Sequence, residues 1–65
     1  MGIVEGLPDQ YFLYHVATDK TEKLLMTNTD LEFTKRMKDN YLDRISKNEY
    51  AAGTIEIKLN GEVID

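Results

Sequence analysis

Sixty-five residues with a formal charge of −4 and no cysteine predict one small acidic domain, residues 1–65, without disulfides, zinc fingers or iron–sulfur sites. Folding at this size buries about 60% of the extended chain's surface, so the core is thin, and a partner chain is the reinforcement left once disulfides and metals are removed. The hydrophobic share of 42% and charged share of 31% are those of a globular chain rather than a disordered tail, and the acidic balance argues against anionic membranes and non-specific nucleic acid, which call for clustered Lys and Arg.

The first six residues, Met1 to Gly6, have no basic stretch followed by an apolar run, so they do not read as a secretory signal. No stretch approaches the ~20 apolar residues of a membrane span, and a reducing cytoplasm, of a cell or of an infected host cell, is the expected location. Gly6-Leu7-Pro8-Asp9 carries turn chemistry, with residues 1–9 as a loose arm ahead of the domain.

Tyr11-Phe12-Leu13-Tyr14-His15-Val16-Ala17 is aromatic and β-branched and predicts a strand. Strand parity puts Tyr11, Leu13, His15 and Ala17 on one face and Phe12, Tyr14 and Val16 on the other. Both faces are apolar, which suits a central strand or one with a covered outer face. The polar stretch Thr18 to Glu22 then turns the chain into a second strand, Lys23 to Thr27, forming an antiparallel hairpin.

Thr29-Asp30-Leu31-Glu32 matches a capping box, with Thr29 as the N-cap. The helix that follows carries Leu31, Phe33, Met37, Tyr41, Leu42 and Ile45 as its apolar stripe. The pairs Glu32/Arg36, Lys35/Asp39 and Asp43/Lys47 stand at i,i+4 on its solvated side. Ser46-Lys47-Asn48-Glu49 repeats the capping pattern and predicts a break or short helical turn after Ser46, which Gly53 could close as a left-handed C′ residue. Thr54 to Leu59 alternates, Asn60-Gly61 is the favoured type I′ pair, and Glu62-Val63-Ile64 returns, with Ile57 opposite Ile64. The fold class is therefore α+β: a small antiparallel sheet in ββαββ order with one main helix on one face. A mixed sheet is the alternative, because a helix of this length also serves as a crossover.

Chemical equipment is sparse. His15 lacks an orienting carboxylate and a nucleophile motif in its neighbourhood, so a packed or hydrogen-bonded imidazole is favoured over a general base. Glu32, Asp39 and Asp43 each have a basic neighbour at helical spacing and, with Asp30 at the helix start, read as a solvated face. No phosphate-cradling glycine loop and no calcium loop is present. Lys35-Arg36-x-Lys38, the one basic cluster, is interleaved with acids. No catalytic residue, metal ligand or cofactor is expected.

The four tyrosines are the positive feature. Tyrosine supplies large amphipathic contact area, and one helix covers only one face of the sheet. Tyr11, Leu13, Tyr14, His15 and Tyr50 are therefore the candidate protein-interface residues. The expected function is that of a non-enzymatic protein-binding regulator or inhibitor, acting on a protein partner or as a homodimer. A compact, acidic chain without a site is the kind of product a phage or mobile element uses to block a host protein. A structural or accessory subunit of an assembly, and a small transcriptional regulator using Lys35 to Lys38, are the alternatives.

Overall fold

The computed structural model describes residues 9–65. The expected turn at Gly6 to Asp9 and the loose arm, Asp9 apart, lie outside these residues. Four strands and one helix follow in order: β1 (Tyr11–Ala17), β2 (Glu22–Asn28), α1 (Leu31–Ser46), β3 (Gly53–Leu59) and β4 (Glu62–Val63). The strand order is β2-β1-β3-β4 with every pairing antiparallel, so the chain is α+β and the mixed-sheet alternative is not realised.

The hairpins follow from their turn residues. Ala17 and Lys20 close the first: the Lys20 amide donates to the Ala17 carbonyl at 2.9 Å, and the Ala17 amide donates to Thr21 at 2.8 Å. Lys20 has φ +76°, the left-handed position of a three-residue hairpin loop where glycine is usual. Asp19 accepts from the Thr21 amide at 3.0 Å and fixes the loop. At the second hairpin Asn60 (φ +54°) and Gly61 (φ +81°) supply the two positive φ values of a type I′ turn. Lys58 then pairs with Val63 and Leu59 with Glu62. Beyond these pairs the Ile64 amide donates to the Ile57 carbonyl at 2.8 Å, but the Ile57 amide donates to the Asp65 carbonyl at 3.0 Å, so the expected register holds through Val63 and Ile57 then faces both Ile64 and Asp65.

Two details of α1 differ from expectation. Its N-cap is Asp30, whose carboxylate accepts from the Phe33 amide at 3.2 Å, one residue beyond Thr29. Asn28 causes the shift, because its side-chain oxygen accepts from the Asp30 amide at 2.7 Å and makes an Asx turn before the helix. The inward stripe is also rotated. At about 100° per residue, Thr34, Lys38, Tyr41 and Ile45 form its centre, with Leu31, Met37 and Leu42 on the flanks. Phe33 falls outside the stripe and stays exposed, whereas Thr34 is fully buried. The Thr34 hydroxyl donates to the Asp30 carbonyl at 2.8 Å, so the buried polar group is satisfied. Lys38 keeps only 18% of its side chain exposed and reaches past the apolar flank to Asp65 at 3.3 Å. Among the described residues Asp43–Lys47 is the one i,i+4 pair of the three that closes, at 3.1 Å.

The helix ends at Ser46 as expected, but Asn48 supplies the left-handed residue, with φ +60°. Asn48 donates to the Ile45 carbonyl and Glu49 to that of Arg44, the paired bonds of a Schellman motif. Gly53 instead opens β3, with φ +143° opposite Ala17. A side chain there would be driven into the Val16 carbonyl oxygen, and its Cβ would stand 3.0 Å from the His15 ring.

The core is where β1 and β3 meet beneath the helix. Leu13 pairs with Ile57 and His15 with Ile55, and Leu13, Ile55 and Ile57 are fully or almost fully buried. Each contributes about 1.5–3 kcal/mol by leaving water. Tyr11, Leu25, Met26, Leu31, Met37, Tyr41, Leu42 and Ile45 pack around them. Both Leu25 and Met26 reach this side because β2 bulges: Leu13 pairs with Met26 but Tyr14 with Leu24, leaving Leu25 as the extra residue.

Candidate interaction surface

Among the described residues the one helix lies on the Leu13 side of the sheet, and none of them forms a helix over the other side. Strand parity and register build that outer side from Phe12, Tyr14 and Val16 of β1, Glu22, Leu24 and Thr27 of β2, and Thr54, Glu56 and Lys58 of β3. Val63 continues the row beside Lys58. Phe12, Tyr14 and Val16 are half-buried, whereas Leu24 and Val63 are 47% and 54% exposed.

Tyr14 sits at the middle of this surface, and two charged diagonal neighbours close over it. Lys58, opposite Phe12, and Glu22, opposite Val16, come from the strands on either side of β1. The Lys58 ammonium lies 4.8 Å from the centre of the Tyr14 ring and 2.7 Å from the Glu22 carboxylate. That hydrogen bond is the main reason the Lys58 pKa is raised. Partial desolvation opposes the shift, while the charges of Glu22, Glu56 and Tyr14 add to it. At the hairpin end, Val16, Thr54, Glu22, Glu56 and Lys20 line a shallow open hollow carrying charges of both signs.

The five candidate interface residues do not share one surface. Leu13 is fully buried and His15 is 5% exposed, both in the core, where neither can touch a partner. Tyr11 packs against the core from the helix side. Tyr50 is half-buried and stacks edge-on against both His15, at 5.1 Å, and Tyr41, at 5.2 Å. Only Tyr14 belongs to the outer side. The His15 imidazole Nε2 lies 3.0 Å from the Ala51 carbonyl oxygen, so the ring acts as a structural tie between β1 and the 47–52 connection. The hairpin register read from the sequence already puts Val63 on the outer face with Lys58, as found, whereas Leu24 was missed as a surface residue. Leu24 reads as an ordinary apolar residue of a strand, and its side is decided by the bulge at Leu25, which has no sequence signature.

No three of the His, Asp and Glu side chains converge as a metal-ligand set among the described residues. No helix among them is long and apolar enough to cross a membrane. No protein-family model, curated protein or solved structure matches this chain at a significant level.

Proposed function

We propose that this chain is a small non-enzymatic regulator or inhibitor that works by binding a protein, in the cytoplasm of a cell or of a phage-infected host, through the sheet face opposite α1. The observation that carries the reading is the outer row Phe12, Tyr14 and Val16 beside exposed Leu24 and Val63, over which no helix lies among the described residues. An apolar row at the centre of a small sheet, rimmed by charged and polar residues, has the make-up of a protein–protein contact. A second copy of the chain is one partner the face could serve, which would also supply the reinforcement a thin core calls for.

Affinity capture tests the reading with the wild-type chain and a Leu24→Asp variant, whose fold is checked by circular dichroism. One stoichiometric protein retained by the first and lost by the second supports it. Equal retention by both sinks the assignment to this face. Light scattering at micromolar concentration decides the homodimer: a monomer of 7.5 kDa removes it and leaves an unlike partner.

A further inference from the structure

We propose that the Glu22–Lys58 ion pair is a latch closed across Tyr14, setting how much of the outer aromatic row a partner can reach. The proposal rests on the protein-binding reading for its purpose, but the latch itself is a property of the free chain. Three strands contribute: Lys58 from β3 and Glu22 from β2 meet at 2.7 Å above β1, with the ammonium 4.8 Å from the Tyr14 ring. The lysine stem thus lies on the aromatic surface instead of extending into water, and its side chain is only 19% exposed. No backbone element has to move for the row to open, since two side-chain rotations suffice.

Such a latch is soft. The Glu22 side chain is 43% exposed, and an ion pair of that kind shifts an equilibrium by less than about fivefold. A partner's apolar side chain landing on Tyr14 can therefore displace Lys58 at small cost, while an unbound chain keeps the charged pair over the ring. The dependence on salt is inverted relative to ordinary charge-steered docking. Salt weakens the pair and opens the row.

Photochemically induced nuclear polarisation with a flavin dye reports the exposure of each tyrosine ring in the intact chain, with no partner required. The Tyr14 signal is expected to rise about twofold in Glu22→Gln and in 0.5 M salt, and further in Lys58→Ala, where the stem is gone. Tyr41 and Tyr50 serve as internal controls for the fold and should not change. An unchanged Tyr14 signal in both variants overturns the latch. So does a rise in Lys58→Ala alone, because the stem would then cover the ring without the ion pair. These outcomes stand apart from the binding reading. A partner lost in Leu24→Asp but held equally by wild type and Glu22→Gln would keep the docking face and remove the latch.

Discussion

The imidazole of His15 is joined to the carbonyl oxygen of Ala51 at 3.0 Å, a contact spanning 36 residues of chain. Tyr50 stacks on the same ring and Tyr41 on Tyr50, with the Arg44 guanidinium 5.7 Å from the Tyr41 ring centre. The connection between α1 and β3 is thereby pinned to the central strand by an aromatic ladder. Replacing His15 by Ala should cost about 2–3 kcal/mol, from the cavity and the lost bond together. Urea denaturation measures it, and a change below 1 kcal/mol would show that the ladder contributes little.

Gly53 is expected to be intolerant of any side chain. Its φ of +143° and the approach of the Val16 carbonyl leave no room for a Cβ. Gly53→Ala should destabilise by more than about 2 kcal/mol, whereas Gly61→Ala, with nothing within 4 Å of the added Cβ, should cost less despite its φ of +81°. Thermal melts of the two variants compare them directly.

The helix start gives a sharper comparison. Asp30→Ala should lose about 1 kcal/mol as the true N-cap, and Thr29→Ala should stay within about 0.5 kcal/mol. The reverse ranking in denaturant titrations would restore the capping box at Thr29.

Stability should decline at both ends of the pH scale, from two identified groups. The Thr21 backbone amide, and then its hydroxyl, hold the Asp19 carboxyl below its ordinary value. A lowered folded value adds stability above the unfolded value, and that stability is lost as pH falls through the folded one. Lys58 is the opposite case. Its raised value adds stability below the ordinary lysine range, lost as pH rises through the folded value. Asp19→Asn should flatten the acid limb and Lys58→Met the alkaline limb of midpoint against pH. Parallel curves for variants and wild type would contradict the assignments.

Much of this fold was readable because its signals are local. Asn60-Gly61 dictates its turn whatever lies around it, and strand parity alone separates Tyr14 from Leu13. The features that escaped are those set by neighbours distant in sequence or by competition between local signals. Asn28 and Thr29 both offer caps, and the Asx turn at Asn28 decides in favour of Asp30. Thr34 enters the stripe in place of Phe33 because the helix is rotated on the sheet to seat Ile45 and Tyr41. The surface was half legible: two apolar faces on β1 implied an uncovered row. Its closure by Glu22 and Lys58 required the order β2-β1-β3, which brings residues 36 apart in sequence together over Tyr14.

Site-specific photocrosslinking tests the central claim most directly, with a benzophenone amino acid placed either at position 24 on the outer side or at position 36 on the exposed surface of α1. Irradiation in a lysate of the cells that make the chain should give one discrete protein adduct from position 24 and none from position 36. Adducts from position 36 alone, or from neither position, would contradict a role in protein binding through the helix-free face.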